Sequence, residues 1–223
     1  MGIITISRQF GSGGDEIARQ ICRQLGYGLF DKRLLVRTAK ELGISTGELI
    51  DYSVDDYRTR HLLERLIVGW RSPFALSDAD ALADFVNDLR PDTARLDQEQ
   101  YTTLIQLAIQ TAMEQDNFVI VGRGGQAFLK DIPGVLHVRV VAQFPDRVRR
   151  VQQRTRLEEA AAQDMVTTRD KASAEYLRRI YNIDWADPHH YHLVLNTSLL
   201  SINAAAQVVI TALHQLPTPN PGP

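Results

Sequence analysis

The residues best placed to do chemistry stand near the start of the chain. Gly11, Gly13 and Gly14 break up the segment from Arg8 to Glu16. A β-branched run, Ile3 to Ile6, precedes it, and an apolar helical pattern of Ile17, Ala18, Ile21 and Leu25 follows. Strand, glycine turn and helix together build a phosphate-binding loop: glycines let backbone N–H groups converge on an anion, and the helix N-terminus adds its dipole. The loop lacks the Gly-Lys-Ser/Thr of a standard Walker motif, and Gly14 stands in the lysine's place. A dinucleotide reading competes with it. Asp31, 20 residues past Gly11, suits a ribose-binding acid, but Glu16 replaces the third glycine of that fingerprint.

Arginine is the second chemical signal. Lys32, Lys40, Lys130 and Lys171 are the four lysines, so 21 of the 25 basic residues are arginine, the side chain that forks onto phosphate. Arg147, Arg150 and Arg154 recur at helical spacing, as either a phosphate-facing stripe or a solvated face. Arg123 follows an apolar strand, where parallel sheets bind ligands. Arg169 and Asp170 fit either a closing contact or an exposed ion pair. His189, His190 and His192 invite a metal reading, but no cysteine or paired carboxylates at ligand spacing support it. Cys22 reads as a packing residue on the first helix.

These residues need a scaffold to position them. Strands are expected at 2–7, 28–31, 118–121, 135–141 and 192–195. Helices are expected at 13–25, 32–43, 144–163, 172–182 and after a Ser201 cap. Three further helical patterns fall within 45–115. Strands alternating with helices predict an α/β fold, a three-layer parallel sheet of about five strands with helices on both faces. A single domain is expected over 1–216. It carries a helical insertion at about 45–115 and a polar segment at 164–171, and a proline-rich tail at 217–223 is expected to be disordered. With 223 residues, 44% hydrophobic and 23% charged, and a net charge of −2, the chain reads as globular and not as a general nucleic-acid binder. The absence of a leader or long apolar run predicts a cytoplasmic protein with no membrane partner.

The order of these segments resembles the nucleoside monophosphate kinases, and within them the cytidylate kinase-like family. The matching stretches are 4–18, 27–32, 119–125, 138–142 with Arg147, Arg149 and Arg150, Arg169 with Asp170, and 192–198. The resemblance covers about 3–212 and is weakest over 45–115. It implies a P-loop kinase-like fold and transfer of the ATP γ-phosphoryl group to CMP or a related phosphate acceptor, with Mg²⁺. It implies that Ser7, Gly11, Ser12, Gly13, Gly14, Asp15 and Glu16 bind the donor nucleotide. Arg147, Arg150 and Arg169 would act on the phosphates, with 164–182 as a lid. Arg123, Asp31, Asp170 and Arg178 would serve the acceptor.

Four positions depart from an ordinary cytidylate kinase. Gly14 replaces lysine, Glu16 replaces a hydroxyl residue, Val121 replaces an aspartate, and Gly124 replaces the aspartate after Arg123. Arg8 could supply the missing charge, or could simply pair with Asp15 or Glu16. Glu16 or Asp15 could itself ligate Mg²⁺. A non-catalytic nucleotide-binding module on the same fold is the alternative function. Trp70, Arg71 and Phe74 could form a base-stacking wall, and the insertion could also be a homodimer surface.

Overall fold

The computed structural model describes residues 2–30, 106, 109 and 117–217. Asp31, the expected helix at 32–43, the 45–115 insertion apart from Gln106 and Ile109, its Trp70, Arg71 and Phe74, and residues 218–223 lie outside the described residues.

The chain begins with strand β1 (Ile3–Arg8), turns through the glycine loop and enters helix α1 (Gly14–Leu25). Strand β2 (Gly28–Phe30) follows. Further along the chain come β3 (Phe118–Val121), a short helix α2 (Gly125–Phe128) and β4 (Val135–Val141). Helices α3 (Phe144–Thr155) and α4 (Glu159–Tyr181) form a hairpin. Strand β5 (Leu193–Asn196) and helix α5 (Ile202–Gln215) are the last described elements, with the Ser201 side chain accepting the Ala204 N–H as the cap.

The five described strands are all parallel, in the order β2-β3-β1-β4-β5. The glycine loop therefore leaves the central strand and emerges at the carboxyl edge between β3 and β4. That order rules out the dinucleotide reading, which needs β2 beside β1.

The two faces of the sheet differ. Ile4, Ile6, Val138 and Val140 form an apolar layer with Ile17, Ile21, Val209 and Leu213 of α1 and α5. The alternate residues Thr5, Ser7, His137 and Arg139 face the other way and are buried although polar. Each has a partner: Thr5 Oγ1 bonds His137 Nδ1 at 2.8 Å, Trp185 Nε1 donates to Ser7 Oγ at 2.7 Å, and Arg139 bonds the Trp185 carbonyl. α2 lies on this face, so close that a Cβ on Gly125 would stand 3.1 Å from Ile120.

Two expected boundaries are corrected. The helix expected at 144–163 breaks after Thr155, where Arg156 adopts a left-handed φ of 59° as the C-cap. The polar segment 164–171 is the middle of the continuous 23-residue helix α4. Its polar residues are the solvated side of that helix, with Ala162, Val166 and Ala172 on the buried side.

Candidate functional site

The glycine loop is built by its neighbours as much as by its glycines. Gly11 and Gly13 have φ of 79° and 85°. A Cβ at Gly11 would stand 2.8 Å from the Arg147 carbonyl, so α3 presses directly on the loop. Gly13 is the N-cap of α1 and offers no side-chain cap, which leaves the helix N-terminus available to an external anion.

A cleft of about 570 Å³ opens over this loop. Gly11, Gly13, Gly14, Asp15 and Glu16 form its floor, and Arg8, Arg123, Arg150, Arg154 and Arg169 line it. Five arginines facing two carboxylates make the cleft an anion site.

Arg8 stands at its centre. The side chain leaves the end of β1, runs over Gly14 and reaches the β3–α2 turn. A Cβ at residue 14 would lie 2.6 Å from the Arg8 Cβ, and one at Gly122 would lie 2.6 Å from its Nη1. Arg8 Nε also donates to Asp15 Oδ1 at 3.0 Å. Burial would raise the Asp15 carboxyl, but the charge and hydrogen bond of Arg8, with Arg19 and Arg154 farther off, hold it below the usual carboxylate range. The pairing with Asp15 therefore leaves Arg8 still lining the cleft.

Phe10 organises the far wall. Its ring packs against Val148, Val151, Ala162 and Val166. The Arg154 and Arg169 guanidiniums lie 5.4 and 5.7 Å from the ring centroid, within cation–π range. Arg154 also lies 4.0 Å from Glu16.

Other expected residues sit elsewhere. Arg147 does not face the cleft: it is buried beneath the loop and bonds the Ala142 carbonyl at 3.1 Å, the Phe10 carbonyl at 3.3 Å and Asp170. Asp170 is drawn to the loop with it and lines neither cavity described here. Arg150 reaches the cleft but also donates to Thr197, at 2.9 Å to Oγ1 and 2.6 Å to the carbonyl. Arg178 is exposed in the last turn of α4 and lines neither cavity described here. Ser12 is fully buried below the loop, its carbonyl accepting Thr197 Oγ1–H at 2.6 Å. Ser7 lies behind Arg8 on the polar face of the sheet. Sequence reasoning missed Phe10, Ser173, Gln126 and Trp185. No charge marks them; Phe10 lies within the loop itself, and only the fold brings the other three to the site.

Among the described residues no group of three or more His, Cys, Asp or Glu is placed to hold a metal, and His189 and His190 gather only about Asp187. No described helix is long and apolar enough to cross a membrane.

A model of the cytidylate kinase-like family matches residues 3–199. The chain belongs to that family. It is 23% identical over 215 residues to a cytidylate kinase of Thermoplasma acidophilum, covering 96% of this chain and 93% of the relative. A shorter stretch, 95 residues or 43% of this chain, is 30% identical to a uronate isomerase of Corynebacterium glutamicum, and spans only 18% of that relative's length. Among solved structures, an uncharacterised protein from Eubacterium ventriosum superposes with a TM-score of 0.65 at 20% identity, covering 96% of this chain and 99% of the other. Shikimate kinase from Bacteroides thetaiotaomicron superposes with a TM-score of 0.52 at 12% identity, covering 96% and 98%. The fold of this cytidylate kinase-like family member is that of the P-loop kinases. Family and fold support a kinase acting on a nucleotide or small molecule.

Proposed function

We propose that the chain is a phosphotransferase that moves the ATP γ-phosphoryl group to CMP or a related phosphate acceptor. One observation carries the reading: Arg8 crosses Gly14 and ends at Gly122, so a fixed cation stands between the donor loop and the β3–α2 turn. In an ordinary cytidylate kinase a lysine at residue 14 would bring its charge from the helix; here the same charge would come from the strand.

Catalysis of this kind is positioning and charge neutralisation. The loop amides and the α1 N-terminus would hold the donor phosphates, with Arg154 and Arg169 over them. An oxygen of the acceptor phosphate bonds the γ phosphorus as the bond to the β–γ bridging oxygen breaks, and ADP leaves with the electron pair. Arg8 offsets charge on the group in transit. One Mg²⁺ would be held by a loop carboxylate together with substrate oxygens. Asp15 is committed to Arg8, so Glu16 is the residue to hold it. Bound Mg²⁺ supplies neutralisation of the donor phosphates.

A non-catalytic binding module draws support from one feature: Arg147 and much of Arg150 are already engaged inside the protein. Turnover decides between the two. The purified chain with ATP, Mg²⁺ and a panel of nucleoside monophosphates should phosphorylate at least one. Arg8→Ala should lower kcat/KM more than about tenfold, with Arg8→Lys retaining part of it. Nucleotide binding without turnover across the panel retires the kinase reading in favour of the module.

A further inference from the structure

Beside the arginine cleft lies a smaller cavity of about 40 Å³, reached past Arg8 and Arg123, which line both. Ser7, Gln126, Ser173 and Trp185 complete its polar and aromatic wall. Gln126 is 2% exposed, and its Nε2 has no hydrogen-bond partner among the described residues. A buried amide donor left unpaired is costly, and native proteins rarely keep one without use. The backbone holds it there. Gly122, Arg123 and Gly124 have successive φ of 74°, 59° and 71°, which bring α2 back over the sheet. Arg123 pays a conformational penalty for this turn, as residues at ligand sites often do.

The chemistry of the cavity is one-sided. Arg8 and Arg123 bring positive charge, Gln126 brings an amide donor, and the Ser7 and Ser173 hydroxyls can donate. No carboxylate lines it among the described residues, whereas Asp15 and Glu16 line the cleft next door. Its volume is small as well. About 10–15 Å³ suffices for one water, so 40 Å³ holds a group of a few heavy atoms and excludes a nucleobase.

We propose that this cavity receives the phosphate monoester end of the acceptor, with Gln126 Nε2 donating to a non-bridging oxygen. Its occupant rests on the kinase reading above. Gln126 then sets specificity: it selects acceptors ending in a phosphate over those offering a hydroxyl, because a site built to hydrogen-bond one group rejects the analogue lacking it. The rest of the acceptor lies outside the cavity.

Gln126→Met keeps the volume and removes the donor. The test loads the full chain with ADP, to fill the loop, and titrates inorganic phosphate, CMP and cytidine by calorimetry, with thermal unfolding alongside. In the unsubstituted chain phosphate and CMP should bind and cytidine should not compete. Gln126→Met should weaken both at least tenfold, leave ADP affinity unchanged and hold or raise Tm, since it removes an unpaired buried donor. Gln126→Glu should abolish phosphate binding. Unchanged phosphate and CMP affinity in Gln126→Met overturns the proposal, as does cytidine binding as tightly as CMP. Should the variants not fold, the Gln126 side-chain amide signal of the unsubstituted chain must move on adding phosphate, and a stationary signal overturns the proposal equally. The two readings fail differently. Phosphate binding through Gln126 without turnover retires the kinase and leaves the cavity, while turnover indifferent to Gln126→Met does the reverse.

Discussion

Asp170 Oδ1 accepts the backbone N–H of Phe10 at 2.8 Å, so a carboxylate from α4 is seated on the glycine loop. Its second oxygen pairs with Arg147, which also bonds the loop at the Phe10 carbonyl. One ion pair therefore ties together the β1–α1 loop, α3 and α4. The two residues position the loop and do not face its contents.

This pair should matter to stability more than a surface ion pair does. The Arg147 and Asp170 side chains are only 7% and 19% exposed. Asp170→Ala strands a buried guanidinium, a loss of about 3 kcal/mol. Asp170→Asn keeps an acceptor for Phe10 and should lose less. Urea unfolding of the three proteins measures this, and the difference should persist at high salt because the pair is shielded. A loss below about 1 kcal/mol would show that it behaves as an ordinary exposed pair.

Arg8 and Gly14 form a second coupled pair. A side chain at residue 14 would meet the Arg8 Cβ at 2.6 Å and Cγ at 2.9 Å. These atoms are at the stiff end of the side chain, so they cannot simply swing away. Restoring the Walker lysine as Gly14→Lys should overpack the loop and cost about 1–3 kcal/mol. Adding Arg8→Gly should recover most of that loss. A double-mutant cycle on stability should give a favourable coupling above about 1 kcal/mol between the two changes. Additive effects would mean that the loop opens freely and that Arg8 does not exclude the lysine.

Most of the strands and the order of elements were legible in the sequence, because a parallel sheet needs apolar runs, and 118–121 and 135–141 are read to the residue. The arginine stripe was less legible. Arg147, Arg150 and Arg154 share one helical face, but they end under the loop, at its edge and over it. Spacing gives direction around a helix and not depth along the sheet edge. The break at Arg156 carried no glycine or proline to announce it. Gln126 was invisible for another reason: a neutral amide acquires meaning only once its burial is known.

His137 sets a testable pH limit on the fold. It lies in the middle of β4 at 4% exposure, bonded to Thr5 and stacked 5.2 Å from the His192 ring. Burial, then the neighbouring His192, push its pKa down from 6.5 to about 4, against a hydrogen bond that the ring makes to the backbone of Leu129. Between those values the unfolded chain holds a proton that the folded chain does not. Stability from this group is therefore complete above about pH 6.5 and drains away as pH falls toward 4, by up to about 3 kcal/mol. Asp15 does not blur the window: its carboxyl is held below the ordinary 3.8, so its contribution is lost only at lower pH. Urea unfolding at pH 7 and pH 5 should show a steep drop in the unsubstituted chain. His137→Gln, which can still bond Thr5, should start less stable at pH 7 and lose much less between the two. Equal losses in both proteins would place the acid sensitivity elsewhere.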